Sequence, residues 1–189
     1  MEKLFNFKLN PEKKLSSTCI SLGLNDFETV CQYVKEIPYG RLGKNSNYTA
    51  ILAKNKGTCS TKHAFLKQLA IENEAEKIKL FIGIYKMCEA NTKGVGKILN
   101  KYNLEYIPEA HTYLKFTNAI YDFTNNTKNK SSFSDSILLE REITPSQTTG
   151  FKVLLHKKYI KKWILTNNIP VSFTDLWSIR EACIVALSK

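Results

Sequence analysis

The sequence predicts an α+β fold, and two observations support that prediction. Apolar residues recur at helical spacing over residues 27–37, 59–73 and 151–164. Residues 78–87 (IKLFIGIYKM) instead form an apolar, β-branched and aromatic run that is typical of a central strand. Helices, then antiparallel strands, then helices again indicate an α+β domain with segregated elements.

The first two helices have recognisable starts. Asp26 is a favoured N-cap residue for the first helix, and Pro38 follows its end. Residues 39–56 are polar and contain Gly and Asn, which predicts a long loop. Thr58 then precedes the second helix. Its buried stripe is expected to comprise Ala64, Phe65, Leu66, Leu69 and Ala70.

The middle of the chain is expected to supply the sheet. A two-residue turn at Thr117 and Asn118 would join two strand-like segments into a hairpin. The remaining segments are assigned by the same patterns. In chain order they are a strand over 78–87, a short helix over 92–102, hairpin strands over 111–116 and 119–123, a loop over 125–135 and a strand over 137–143.

The C-terminal third is predicted to be helical. Ser172 and Asp175 form a capping box before the last helix. The helix before it has one apolar and one basic face. The apolar face comprises Phe151, Leu154, Leu155, Tyr159, Trp163 and Ile164, and the basic face Lys152, Lys157, Lys158, Lys161 and Lys162.

Length and composition fit one globular domain over residues 1–189. The hydrophobic fraction is 43% and the charged fraction 24%, and neither a repeat nor a linker divides the chain. The N-terminus lacks the apolar run of a signal peptide, and no later segment approaches membrane-spanning length. We therefore expect a cytoplasmic protein without membrane association. The sequence does not indicate its oligomeric state.

The formal charge of +11 raises the question of nucleic-acid binding. Only three of the 28 basic residues are arginines, namely Arg41, Arg141 and Arg180, and the lysines are scattered along the chain. Arginine dominates bidentate contacts to bases and phosphates. A solvated lysine-rich surface is therefore preferred over a nucleic-acid interface.

The five cysteines are an odd number, with no CxxC motif and no Cys/His cluster at zinc-ligand spacing. Reduced thiols are expected, with neither a metal nor a cofactor. Cys31 and Cys183 fall on apolar helical stripes, Cys19 lies in a segment without a neighbouring acid or base, and Cys88 follows the central strand. None of these four has the features of a nucleophile.

Cys59 differs because Gly57-Thr58-Cys59 delivers its thiol to the first turn of a helix. The positive end of the helix dipole favours a thiolate there, and the first-turn N–H groups can donate to an oxyanion. Gly57 is expected to let the backbone turn sharply and to leave space for substrate. A buried thiol at an ordinary helix start is the alternative interpretation.

A cysteine nucleophile needs a base, and the chain has three histidines. His111 begins a predicted strand, and Asp122 lies near the opposite position on the returning strand, where a carboxylate can fix the imidazole tautomer. His63, one helical turn after Cys59, is an alternative base on the same helix. His156 lies in the basic C-terminal helix and is expected to be a surface or core residue.

Three pieces in this order resemble the transglutaminase-like core of the papain-like cysteine enzymes. They are Gly57-Thr58-Cys59 at a helix start, His111 followed by an apolar strand, and Asp122-Phe123-Thr124 on the next strand. The resemblance covers residues 38–125. It leaves the helical part at about 148–188 unexplained.

The resemblance implies a nucleophile helix packed on an antiparallel sheet, with extra C-terminal helices. It also implies acyl transfer from a peptide or other amide through a thioester to water or an amine. Cys59 would be the nucleophile, His111 the general base and acid, and Asp122 the orienting carboxylate. The chain departs from the pattern in two places. No glutamine precedes Cys59, which leaves Tyr39, Asn47 and Tyr48 as candidates for the second oxyanion donor, and Lys62 and His63 are bulkier than expected.

Other residues allow two interpretations each. Glu109 could modulate the pKa of His111, but a solvent-exposed loop acid is preferred. Arg41 could clamp a substrate carboxylate, but a surface arginine is preferred. Two rival functions also remain open: a catalytically silent relative that binds a partner through the same fold, and a basic protein that binds nucleic acid through the lysines of residues 151–165.

Overall fold

The structure is a computed structural model that describes residues 6–43, 47–124 and 131–187, and it confirms the α+β class. The described chain forms seven α-helices and four strands, with short 3-10 helices at 48–50, 133–136 and 145–148. The helices are α1 (Lys14–Ser21), α2 (Phe27–Glu36), α3 (Ile51–Lys54), α4 (Cys59–Glu72), α5 (Gly96–Lys101), α6 (Gly150–Thr166) and α7 (Phe173–Ala186). The strands are β1 (Ile78–Met87), β2 (Ile107–Phe116), β3 (Ala119–Tyr121) and β4 (Ile137–Ile143).

The four strands form one antiparallel sheet in the order β3-β2-β1-β4. Phe116 pairs with Ala119 at the end of the β2-β3 hairpin, so Thr117 and Asn118 form the predicted two-residue turn. Thr117 has a positive φ of 52°, the left-handed conformation that such turns require. The predicted strands over 78–87 and 137–143 are also confirmed. Part of the predicted 125–135 loop, residues 125–130, lies outside the described residues.

The chain divides into two compact units, and strands β1, β2 and β4 run through both. The first unit comprises Met1–Ile82, Thr112–Asn126 and Arg141–Thr148. The second comprises Gly83–His111, Thr127–Glu140 and Thr149–Lys189.

Helix α4 is the central helix of the first unit, and most of it is buried. The predicted stripe Ala64, Phe65, Leu66, Leu69 and Ala70 is inaccessible to solvent. Asp26 caps α2 as predicted, because its carboxylate accepts from the Thr29 N–H at 2.9 Å. Residues 39–56 are not one long loop as predicted, since a 3-10 turn and α3 interrupt them.

Helix α1 is not among the predicted elements. Its first-turn N–H groups are capped from a distance, because the Glu72 carboxylate accepts from Leu15 N at 3.0 Å and from Ser16 N at 2.8 Å. This carboxylate occupies the place that a local N-cap side chain usually fills.

The second unit packs α6 and α7 against parts of β1, β2 and α5. Its core residues are Tyr85, Met87, Val95, Leu99, Leu104, Ile107, Ile160, Trp163, Leu176, Ile179 and Cys183. Ser172 caps α7 by accepting from Asp175 N at 3.1 Å, which confirms the predicted helix start.

The predicted apolar face of α6 is partly correct. Trp163 is buried and Tyr159 and Ile164 pack against the core, but Leu154 is 69% exposed, and Lys152 and His156 are buried instead. Lys152 is attracted to the carboxylate of Glu109 and helps to lower its pKa. Burial lowers the pKa of His156, so its ring is mostly neutral at pH 7, and its Nε2 lies 2.8 Å from Pro108 O. Polar groups can thus take core positions when an opposite charge or a hydrogen-bond partner is present.

Glu109 is likewise not the exposed loop acid that was preferred. It lies on β2 with its side chain 6% exposed, and it pairs with Arg180 of α7. None of the helices in the described part of the chain combines the length and apolar character that crossing a bilayer demands.

Candidate active site

Cys59 is the first residue of α4, as the sequence predicted. Thr58 is the N-cap, and it forms a capping box in which its N–H donates to the Thr61 hydroxyl at 2.9 Å and its own hydroxyl accepts from Thr61 N at 3.4 Å. The Cys59 side chain is nearly buried, with 8% of the residue exposed. Its thiol therefore lies in the first turn of a capped helix, where the helix dipole favours negative charge.

Gly57 has a different role from the predicted sharp turn. Its backbone bridges to the Tyr39 strand segment, donating to Pro38 O at 3.1 Å and accepting from Gly40 N at 3.2 Å. A Cβ at this position would lie 3.0 Å from Cγ of Lys62. The absence of a Cβ at Gly57 therefore allows the Lys62 stem to pack closely against the backbone.

Three of the other cysteines, Cys19, Cys31 and Cys183, are poor candidates for a nucleophile. No disulfide involves any of the five. Burial raises the pKa of Cys19 to about 12 and that of Cys183 to about 11, and it raises the pKa of Cys31 well above the usual value. A thiolate at neutral pH is strongly disfavoured at these three positions.

Lys62, one turn after Cys59, is fully buried. Its ammonium donates to Lys35 O at 3.2 Å, to Ile37 O and to Thr124 O at 2.7 Å. Burial lowers the pKa of Lys62 to about 8, and the charges of Asp122, Glu36 and Cys59 oppose that shift. Because electrostatic interaction is mutual, the Lys62 cation favours a thiolate at Cys59.

His63 is buried and has both ring nitrogens in contact with backbone groups. Nδ1 lies 2.8 Å from Cys59 O, and Nε2 accepts from Phe123 N at 2.8 Å. Since the Phe123 N–H can only donate, Nε2 holds a lone pair and Nδ1 carries the proton. This arrangement leaves the ring poorly placed to take a proton from the Cys59 thiol, so His63 is disfavoured as the base.

Asp122 lies in the same unit as Cys59 and next to α4. Its Oδ1 is 3.5 Å from His63 Nε2, and it accepts from the Thr124 N–H at 2.9 Å and from the Thr124 hydroxyl. The Asp-x-Thr spacing therefore has a local physical basis, because Thr124 fixes the carboxylate through two donors. The Asp122 side chain keeps 31% of its surface exposed.

His111 lies in the second unit and is partly buried there. Its ring centroid is 4.6 Å from that of Phe133 and 6.0 Å from that of Tyr85, with both pairs inclined rather than stacked. The next residue, Thr112, belongs to the first unit, and its hydroxyl lies 3.5 Å from the Ser60 hydroxyl. The imidazole thus has a partly aromatic environment.

The remaining candidates have structural contacts of their own. Asn47 caps the 48–50 turn, and the Tyr48 hydroxyl donates to Gln68 at 3.2 Å. His156 Nε2 lies 2.8 Å from Pro108 O in the core of the second unit. Among the described residues, no group of three or more His, Cys, Asp or Glu side chains could hold a metal ion.

Comparisons of the chain with family models, with curated proteins and with solved structures gave no match. The transglutaminase-like resemblance therefore stays a prediction from the residues.

Lys62 and His63 connect α4 to the segment after β3. His63 contacts both Cys59 O and Phe123 N, and Lys62 donates to Thr124 O. The sequence indicated these two residues only as bulky polar side chains after Cys59, with His63 also considered as an alternative base.

Proposed function

We propose that the chain is a cysteine-dependent acyl-transfer enzyme with Cys59 as its nucleophile. The supporting observation is that Cys59 occupies the first position of a capped helix, in the unit that also holds Asp122 beside that helix. His111 would be the general base and acid, and Asp122 its orienting carboxylate. The role of His111 rests on residue order and on the transglutaminase-like resemblance.

The reaction would proceed through a thioester. His111 takes the proton of the Cys59 thiol, and the thiolate attacks the carbonyl carbon of an amide. The C–N bond breaks, and the leaving amine receives the proton from His111. Water or a second amine, deprotonated by His111, then attacks the thioester and yields a carboxylic acid or a new amide with the thiol restored.

Two features favour the ionised forms that this chemistry needs. The first turn of α4 places the positive end of a helix dipole at Cys59 and at any oxyanion formed beside it. The buried ammonium of Lys62 adds a full charge of the same sign. A peptide or another amide-containing molecule is the substrate class, and no cofactor is needed for the steps above.

Contacts of the α6 lysines weaken the nucleic-acid alternative. Lys152 is buried, Lys157 lies over the Trp177 ring at 5.1 Å and Lys161 over the Phe173 ring at 5.0 Å. These contacts give the three lysines roles within the second unit. We therefore propose no second function.

Selective alkylation tests the proposal. The folded protein is treated with substoichiometric iodoacetamide at pH 7, and modification of each cysteine is measured by peptide mass spectrometry. We expect Cys59 to react first, and His111→Ala to slow its reaction roughly tenfold or more by removing the base that generates thiolate. His156→Gln, which changes a buried histidine of the same unit, is the matched control and should leave the rate unchanged.

A turnover assay complements the alkylation. A panel of fluorogenic peptide amides, with and without a primary amine acceptor, should be cleaved only when Cys59 and His111 are both intact. Equal reactivity of all five thiols in the folded protein, or a Cys59 rate indifferent to His111→Ala, would refute the proposed function.

A further inference from the structure

Two consecutive residues of α4 hold two consecutive residues after β3. Lys62 Nζ donates to Thr124 O at 2.7 Å, and His63 Nε2 accepts from Phe123 N at 2.8 Å. The residue just before this pair is Asp122, whose Oδ1 accepts from Thr124 N at 2.9 Å and from the Thr124 hydroxyl. We call Lys62 and His63 the α4 clamp.

We propose that the α4 clamp positions the carboxylate of Asp122 and supplies, through Lys62, the buried cation that stabilises the Cys59 thiolate. This inference rests on the proposed function, because it assigns positioning residues to the same site. It also explains why bulky polar side chains follow the nucleophile.

The geometry around Lys62 supports an anchoring role. Its stem packs on Gly57, where even a Cβ would come within 3.0 Å of Lys62 Cγ. Its ammonium donates three hydrogen bonds, to Lys35 O and Ile37 O at the C-terminal end of α2 and to Thr124 O. Binding any other group would break one of these hydrogen bonds. A cation at a helix C-terminus interacts favourably with the α2 dipole.

The electrostatic environment of Lys62 gives the sign of its effect. The charged groups that act on it are Glu36 of α2, Asp122 after β3 and Cys59 of α4 itself, and each of them opposes the effect of burial. Burial lowers the pKa of Lys62 to about 8, so the ammonium form dominates at neutral pH and is lost above about pH 8. Below that pH the cation favours the ionised forms of Cys59 and Asp122.

The second half of the clamp, His63, acts through hydrogen bonds of its two ring nitrogens. One ring nitrogen of His63 contacts the Cys59 carbonyl, and the other accepts from the Phe123 N–H. The rigid imidazole therefore connects the first turn of α4 to the residue that follows Asp122. An apolar residue at this position would leave the buried Phe123 N–H without its acceptor. Glutamine would keep an acceptor oxygen there.

The test follows the titration of each thiol directly, by NMR of protein labelled with ¹³C at cysteine Cβ, from pH 5 to pH 10. This readout does not depend on turnover, and His111 is unaltered in every variant compared. We expect Lys62→Met and Lys62→Gln to move the midpoint of the Cys59 titration upward by about one pH unit, a tenfold loss of thiolate at neutral pH. Lys62→Gln keeps N–H donors but removes the charge, so it provides the same test if Lys62→Met does not fold.

Lys67→Met is the matched control for the charge. Lys67 is also buried on α4 and donates to a backbone carbonyl, that of Ile78 at 2.6 Å. Because the charges acting on it are those of Lys79, Glu142 and Glu76, its removal should leave the Cys59 midpoint unchanged. A midpoint that moves equally in the Lys62 and Lys67 variants, or in neither, overturns the inference.

A second arm tests the hydrogen-bonding half. His63→Leu should slow alkylation of Cys59 and the cleavage of any amide found, whereas His63→Gln should recover most of the rate. Equal rates for the two His63 variants would overturn this part. The proposed function fails separately, through an indifferent His111→Ala, so the two failures are distinguishable.

Discussion

Replacing Arg180 by Met should destabilise the second unit strongly and in a pH-dependent way. The guanidinium pairs with the Glu109 carboxylate through two hydrogen bonds, from Nε at 2.7 Å and from Nη2, and the side chains are 13% and 6% exposed. Removing one partner of a buried ion pair leaves the other charge uncompensated. The expected loss in the free energy of unfolding at pH 7 is about 3–5 kcal/mol.

The pH dependence follows from the pKa of Glu109. Burial alone would raise that pKa, but Arg180, His156 and Lys152 outweigh burial and lower it below its usual value. In the unaltered protein this group therefore contributes stability above the pKa of the unfolded carboxyl, and the contribution is lost as the pH falls through the lowered folded pKa. Without Arg180, burial dominates, so Glu109 takes up a proton on acidification and the penalty shrinks.

Urea denaturation at pH 7 and at about pH 4.5 measures both effects. Glu181→Gln is the matched control, because Glu181 also binds Arg180, at 2.6 Å, but is 32% exposed. Its loss should cost at most about 1 kcal/mol. A cost for Arg180→Met below about 1 kcal/mol at pH 7, or one that does not fall in acid, would refute the account of a buried pair.

Two further substitutions test the first unit by the same denaturation assay. Gly57→Ala should cost about 1–3 kcal/mol because the new methyl group overlaps Lys62, whereas Gly40→Ala, whose nearest neighbouring atom would be 3.5 Å away, should cost little. Asp26→Ala should cost about 1 kcal/mol by removing the N-cap of α2. Because the Thr29 N–H lowers the pKa of Asp26, the Asp26→Ala cost should decrease as the pH falls through that pKa; a cost that stays constant down to pH 2 contradicts this.

The sequence was sufficient to predict those elements whose stabilising contacts lie within the element itself. Asp26 and Thr58 cap their own helices, and the β1 segment is apolar enough to be recognised alone. The Thr117-Asn118 turn follows from two strand patterns that flank it. In each case the stabilising contact spans only a few residues, so composition and spacing determine the structure.

The elements and residues that were predicted incorrectly, or not at all, depend on partners far away in the sequence. Helix α1 is capped by Glu72, 56 and 57 residues along the chain from the N–H groups that it binds. Glu109 is an internal ion-pair partner only because Arg180, 71 residues away, folds beside it. The buried Lys152 of α6 interacts with that same carboxylate. Sequence periodicity carries no information about partners at such separations.

For the candidate site, the sequence predicted the position of Cys59 at a helix start. It also placed Asp122 on the returning strand near the position opposite His111, whereas β3 ends at Tyr121, which pairs with Leu114, so that Asp122 follows the strand. It did not predict the contacts that hold them together. Lys62 and His63 meet Thr124 and Phe123 across 62 and 60 residues. The local pattern around Cys59 shows only that two bulky polar residues follow it.

The buried cations also change how the net charge should be interpreted. Lys62 donates hydrogen bonds to the backbone carbonyls of Ile37 and Thr124, Lys67 donates to that of Ile78 at the start of β1, and Lys152 is buried and interacts with Glu109. Such carbonyls need donors, because loops and helix ends leave them without partners within the element. Part of the formal charge of +11 is therefore internal and serves backbone hydrogen bonding. At α4 the same arrangement places a positive charge one turn from Cys59, where the proposed thiolate chemistry would use it.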